Sequence, residues 1–224
     1  MTRLLEVEGL AKSYRGIRAV AGVSFAVAAG TITGMIGPNG SGKSTTIDCL
    51  SGFQRADGGR ILLEGRDITG LPPQQIARAG LVRTFQTVRV YEEFDLIANL
   101  LVVVEPFRHT AWPEALLRMR RYRAARDAAE ARARELIELV GLTRLAAAPA
   151  GILSYGQKKL LALAAALMSQ PRLVVLDEPV AGVNPTRINE VAEILRKANA
   201  AGTTFLIVEH NVEFITGLCQ HVIV

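Results

Sequence analysis

The chain has only two cysteines, no apolar run approaching the length of a membrane span, and almost no aromatic residues among its arginines. Each shortage removes a class of function. Cys49 and Cys219 lie inside apolar helical patterns with no metal-ligand spacing, so they read as small core residues of a reducing compartment rather than as a disulfide or a metal site. The longest uninterrupted apolar stretch, residues 160–168, is far below the roughly 20 residues that cross a bilayer, and no charged-then-apolar leader opens the chain. A soluble, cytosolic protein is expected. Tyr122 apart, the arginines are not interleaved with aromatics, which argues against nucleic acid as a partner. A formal net charge of +5 suits anionic nucleotide or anionic lipid headgroups and decides little alone. What is abundant is apolar residues, 50% of 224, enough for one large α/β core or two small lobes and too many for a disordered chain.

One stretch organises the rest. Gly37-Pro38-Asn39-Gly40-Ser41-Gly42-Lys43-Ser44 has the spacing G-x-x-x-x-G-K-[ST] of a phosphate-binding P-loop. Residues 31–36 before it read as a buried strand and residues 43–50 after it as the start of a helix, which is the context that the motif needs. Gly37, Gly40 and Gly42 let the backbone turn its N–H groups inward around phosphate oxygens at a helix N-terminus. Lys43 is expected to reach the β and γ phosphates, Ser44 to hold Mg²⁺, and the adjoining Thr45 to lie with them at the phosphates.

Before the loop, residues 4–7 and 23–28 read as strands separated by a turn at Tyr14-Arg15-Gly16, forming a small β layer. Tyr14 stands one strand ahead of the P-loop, so its ring could stack on a base or be an ordinary surface tyrosine. After the loop, Asp57-Gly58-Gly59 signals a turn, Ile61 to Gly65 a hairpin, and residues 81–84 a strand ending at Phe85-Gln86. A glutamine just past a strand end lies where α/β sheets bind ligands.

From residue 88 to 170 alanine, leucine and arginine replace β-branched runs, and a helical subdomain is expected. Leu116, Tyr122, Ala125, Ala129, Ala133, Leu136, Ile137 and Val140 recur at helical spacing between Pro113 and Gly141, with arginines 118, 120, 121, 123, 126, 132 and 134 on the other face. That face reads as solvated and balanced by Glu130, Glu135 and Glu138, with contact to lipid headgroups or a partner as the alternative. Ser154 is placed to cap the apolar helix that begins near Lys158. Residues 173–176 read as a buried central strand ending in Asp177-Glu178, two adjacent acids on opposite sides of the strand, one for a metal and one for a water. Asn184-Pro185 starts a helix, residues 204–208 form another buried strand, and His210 follows it at the same sheet edge as the P-loop, Gln86 and Glu178.

In this order the motifs resemble the nucleotide-binding subunit of an ATP-binding cassette (ABC) transporter over essentially the whole chain. The resemblance implies an α/β fold: a P-loop NTPase core with a mostly parallel sheet, an N-terminal antiparallel β layer and an inserted α-helical subdomain. One ABC ATPase domain is expected over 1–224, with a catalytic lobe at 1–87 and 171–224 and the helical subdomain at 88–170. It further implies that Gly37, Pro38, Asn39, Gly40, Ser41, Gly42, Lys43, Ser44 and Thr45 bind ATP while Tyr14 stacks on adenine. Asp177 with Ser44 and Gln86 would support Mg²⁺, Glu178 would polarise the attacking water, and His210 would contact the γ-phosphate. Ser154, Gly156 and Gln157 belong to the signature segment 153–157, which in this family completes the site of a second cassette, from an identical chain or a close relative. Tyr155 stands where the usual signature has its first glycine, and Lys158, Lys159, Leu160 and Ala165 replace the arginines common after it. Relatives continue beyond the last strand, at 222–224.

Residues 74–78, 82–86, 99–101 and 179–185 look closest to the branched-chain amino acid uptake subfamily. The implied partners are transmembrane permease subunits and, indirectly, an extracytoplasmic solute-binding protein, with the chain peripheral on the cytoplasmic face of the inner membrane. Urea or short amides are the alternative solutes. A soluble cassette ATPase acting on ribosomes or nucleic acid is the competing class, and a small-molecule kinase would explain the P-loop but neither residues 153–157 nor His210.

Overall fold

A computed structural model describes residues 2–84, 89–104 and 119–224, with side chains described for all of these except 119–122. The chain divides into two compact units: residues 1–86, 171–181 and 186–224 form the first, residues 87–170 and 182–185 the second.

The first unit is built on two sheets. Its parallel sheet has the order β6-β7-β8-β3-β9, from β3 (Ile32–Met35), β6 (Leu81–Arg83), β7 (Leu173–Asp177), β8 (Thr204–Val208) and β9 (His221–Ile223), and every pairing in it is parallel. All residues of β8 and the first four of β7 are buried, as the continuous apolar runs require for strands covered on both faces. Because the strands run the same way, the loops after β3, β7 and β8 leave from one edge, and β8 lies between β7 and β3.

The antiparallel sheet has the order β2-β1-β4-β5. Here the strands are longer than their apolar segments suggest: β1 (Arg3–Tyr14) and β2 (Ile17–Ala28) are 12 residues each and carry register shifts. Tyr14 is therefore the last residue of β1, paired with Ile17, and the turn is Arg15-Gly16 alone. Gly58 and Gly59, expected to form a turn with Asp57, instead open β4 (Gly58–Leu63), which pairs with β5 (Arg66–Asp67) across Glu64-Gly65. Gly59 has φ of +90°, and a Cβ there would lie 2.6 Å from the Glu8 carbonyl oxygen, so the close approach of β1 dictates glycine.

Helix α1 (Lys43–Leu50) has the expected limits. Its Ile47, Cys49 and Leu50 join Leu5, Val7 and Ile61 of the antiparallel sheet and Met35, Val175 and Leu206 of the parallel one in a single core cluster, each fully buried side chain contributing about 1.5–3 kcal/mol. Thus the first helix after the P-loop is fixed by both sheets. On β3, a Cβ at Gly34 would lie 2.7 Å from the Ile215 side chain, which shows how closely the last helix, α7 (Val212–Leu218), packs on that strand. Cys219 follows α7, and burial pushes its thiol up to about 11. Helix α2 (Pro73–Ala79) leads into β6.

In the second unit, α3 (Leu96–Leu101) is capped by Asp95, whose carboxylate accepts from the Ala98 N–H at 2.7 Å. Buried Asn99 fastens the preceding loop, accepting from Tyr91 N–H and donating to the carbonyls of Tyr91, Phe94 and Asp95. Helix α4 (Met119–Leu139) buries Ala133, Leu136 and Ile137, followed by buried Val140. Ala125, counted on the inner face by spacing, is exposed, since alanine fits a helix on either face and marks burial weakly. Pro113, Leu116 and Arg118 lie outside the described residues. On the arginine face, Arg132 pairs with Glu135 at 3.1 Å and Arg134 with Glu130. Helix α5 (Tyr155–Met168) starts earlier than expected, so Gly156 and Gln157 lie within it. Back in the first unit, the helix expected at Asn184-Pro185 begins instead at Ile188, after a tight turn over Pro185–Arg187, as α6 (Ile188–Ala200). Among the described residues no helix is long and apolar enough to cross a membrane.

Candidate functional site

The P-loop leaves β3 and turns into α1 through two left-handed glycines, Gly40 (φ +83°) and Gly42 (φ +93°). Gly42 heads α1 without a side-chain cap, so the orphan N–H groups of the first turn lack a side-chain acceptor there. A Cβ at Gly42 would lie 2.3 Å from the Ala19 carbonyl oxygen, and one at Gly37 would lie 2.9 Å from Ser41 Oγ. At Gly37 and Gly42 neighbouring atoms thus leave no room for a side chain, whereas Gly40 is open and needs glycine for its left-handed φ. Lys43 folds over it, its ammonium donating to the carbonyls of Gly37 (2.7 Å) and Pro38 (2.8 Å) and lying 3.5 Å from Ser41 Oγ. Asn39, Gly40 and Ser44 are exposed and Thr45 half-buried. An anion in the loop would meet backbone N–H groups, a helix N-terminus and a cation on one side.

Across β8, the parallel register carries Asp177 and Glu178 to the same edge. Asp177 ends β7, paired with Val208. Glu178 leaves the strand in a left-handed conformation (φ +51°), rare for a residue with a side chain and worth about 1–3 kcal/mol of strain, while its N–H still donates to the Val208 carbonyl at 2.9 Å. This bend, not strand alternation, sends the two acids to different partners. Asp177 Oδ2 accepts from Arg83 Nη2 at 2.9 Å, whereas Glu178 Oε1 lies 3.2 Å from His210 Nε2. Glu178 and His210, 32 residues apart by number, therefore face each other at the sheet edge. A carboxylate and an imidazole in that relation can accept and relay a proton from a water. Ser44 and Asp177 are hard oxygen donors of the kind that hold Mg²⁺ jointly with a phosphate, so the residues fit such an ion.

Two charged residues emerge only from the structure. Arg83, in β6, is 9% exposed at its side chain and bridges Asp177 to α1, donating through Nη1 to Asp48 Oδ1 at 2.5 Å and lying 5.9 Å from the Phe53 ring centre. A lone arginine within an apolar strand was the available signal. Glu209 is 3% exposed at the end of β8. Gln86, expected at this edge, lies outside the described residues.

Tyr14, 40% exposed, stands over Lys12, whose ammonium is 5.5 Å from the ring centre. Asp57 anchors that strand end, accepting from Lys12 Nζ (2.8 Å) and Ser13 N–H (2.7 Å). The hydrogen bond from Lys12, then that from Ser13, holds the Asp57 carboxyl below its usual range and the same contact raises Lys12.

In the second unit, Ser154 caps α5 in a reciprocal capping box: Ser154 Oγ accepts from Gln157 N–H at 3.4 Å and Gln157 Oε1 accepts from Ser154 N–H at 2.9 Å. Tyr155 is exposed, and its ring lies against Gly182, where a Cβ would come within 3.2 Å.

The family model described as "ABC transporter" matches residues 20–181. The chain is 38% identical over 222 residues, 99% of its length and 87% of the relative's, to the high-affinity branched-chain amino acid transport ATP-binding protein BraF of Pseudomonas aeruginosa. It is 39% identical over the same shares to the protein LivG of Escherichia coli K12, described in the same words. Among solved structures, the ADP conformation of MJ1267, an ATP-binding cassette of an ABC transporter, superposes with a TM-score of 0.84 at 34% identity, covering 99% of this chain and 87% of that one.

Proposed function

The chain belongs to the ABC transporter family of ATP-binding cassettes, and on that premise we propose that it is the ATP-hydrolysing subunit of an importer of branched-chain or other hydrophobic amino acids. The observation that carries the catalytic part is the Glu178–His210 pair, 3.2 Å apart, at the sheet edge that also bears the P-loop. In this reading Lys43 and the N–H groups of residues 37–45 bind the phosphates, and Tyr14 receives the adenine. Ser44 and Asp177, with Gln86, hold Mg²⁺, which supplies charge neutralisation at the phosphates when bound. Glu178 takes up the proton of the attacking water, and His210 holds Glu178 while reaching toward the γ-phosphate. The transfer to water is mostly positioning and charge stabilisation, so the built-in geometry does most of the catalysis.

Ser154, Gly156 and Gln157 act on the nucleotide of a second cassette. The cap and the helix dipole of α5 face that phosphate, an attraction of about 0.3–1 kcal/mol at an exposed helix end. The two units then correspond to the catalytic lobe and helical subdomain of one ABC ATPase domain. The cassette pair sits against permease subunits at the cytoplasmic face of the inner membrane and is served by an extracytoplasmic binding protein. Urea or short amides as solutes have no counterpart among the relatives described above. The test is reconstitution with the permease partners that co-purify from membranes, where leucine, isoleucine or valine with its binding protein should stimulate ATP turnover severalfold. Stimulation by urea instead, or co-purification with ribosomes and no membrane protein, would refute the reading.

A further inference from the structure

Glu209 is buried at the end of β8, 3% exposed, and its described hydrogen-bond partners are backbone N–H groups from two different loops. Oε1 accepts from Val180 N–H at 2.9 Å. Oε2 accepts from His210 N–H at 3.0 Å, with Asn211 N–H at 3.5 Å. Val180 is two residues past Glu178 and His210 is the next residue after Glu209, so one carboxylate fastens the loop that carries the acid to the loop that carries the imidazole. Val180 N–H has no place in a strand ladder or helix, and a buried N–H left without an acceptor is costly. Charge-assisted bonds to a carboxylate are the stronger kind.

We propose that Glu209 is a positioning residue for ATP hydrolysis: it sets the spacing of Glu178 and His210 by clamping both loops. Only an acceptor at both ends can do this. A glutamine has the same length, but its NH₂ would face an N–H donor on one side, so one loop is released. An aspartate is a methylene shorter and cannot span both. The inference rests on the assignment of Glu178 and His210 to catalysis, and its test separates the two.

Steady-state ATPase rates and ATP affinities are measured for Glu209→Gln, Glu178→Gln, His210→Ala and the double variant Glu209→Gln/His210→Ala. Displacing catalytic groups by about 1 Å costs on the order of 10²-fold, so kcat of Glu209→Gln should fall about tenfold or more with KM and ATP affinity within about twofold of the parent. In the His210→Ala background the same substitution should lower kcat by a clearly smaller factor, because one of the two groups whose spacing Glu209 sets is gone. A merely structural glutamate would lower both backgrounds by the same factor, which overturns the proposal, as does an unchanged kcat in Glu209→Gln. Unchanged turnover in Glu178→Gln would overturn the catalytic assignment and this inference with it. Intact turnover in Glu209→Gln beside a collapsed Glu178→Gln removes this inference alone. A measurement on the unmodified chain covers failure of a variant to fold: amide hydrogen exchange should find Val180 and His210 protected together, and rapid exchange at both would contradict the clamp.

Discussion

The two units place functional residues by opposite means. In the first, residues far apart in sequence meet because parallel strands and the helix packed on them are brought together: Arg83 reaches Asp48 of α1 across 35 residues and Asp177 at the end of β7 across 94. In the second, Ser154 and Gln157 are three residues apart and hold each other through a capping box on the exposed first turn of α5. A long-range site inherits its rigidity from the core, so damage to it spreads, whereas a local site fails locally.

That contrast sets the order of expected effects. Arg83→Ala should cost most: removing it leaves Asp177 and Asp48 without their partner in a largely buried network, about 3–5 kcal/mol by chemical denaturation. A change below about 1 kcal/mol, the range of exposed ion pairs, would break the claim that the edge is tied into the core. Next, Gly42→Ala puts a Cβ 2.3 Å from the Ala19 carbonyl in a left-handed conformation. ATP affinity, read by equilibrium titration, should fall about tenfold or more, equivalent to 1.4 kcal/mol or above. Ser154→Ala removes one cap, about 1 kcal/mol of stability, with ATP binding by the isolated subunit unchanged and nucleotide-driven association of two cassettes weakened. Loss of monomer binding there would undo the distinction between the regions. Arg134→Ala, on the exposed face of α4, should change stability by no more than about 0.5 kcal/mol.

Asp57 offers a pH test of the Tyr14 strand end. Its carboxyl is held below the usual range in the folded chain by Lys12 and Ser13. The contribution is therefore present above the ordinary carboxylate pKa and disappears as pH falls through the lower folded value. Asp57→Asn should weaken ATP binding slightly at neutral pH, and equal affinities for parent and variant at pH 7 would detach the anchor from the base site.

How much of this is legible in the sequence depends on whether the signal is local. The P-loop, α1, β7, β8 and the place of His210 could be read because each is a contiguous apolar run or motif with a marked end. The full lengths of β1 and β2 could not, since their outer halves alternate weakly and are set by pairing with each other and, for β1, with β4. Gly59 looked like part of a turn because the demand for glycine there comes from Glu8 and Gly9 in another strand. The roles of Arg83 and Glu209 are hidden for the same reason: an arginine inside an apolar strand is a signal without a partner, and it and a glutamate beside a histidine acquire meaning only from partners that folding delivers.

The central claim is that Glu178 and His210 act on a phosphate held by the P-loop. ATP hydrolysis measured beside ATP binding for Glu178→Gln tests it most directly: turnover should drop about 10²–10⁴-fold while affinity stays within about twofold. A variant that hydrolyses ATP at the parent rate, or one that no longer binds it, would contradict the account.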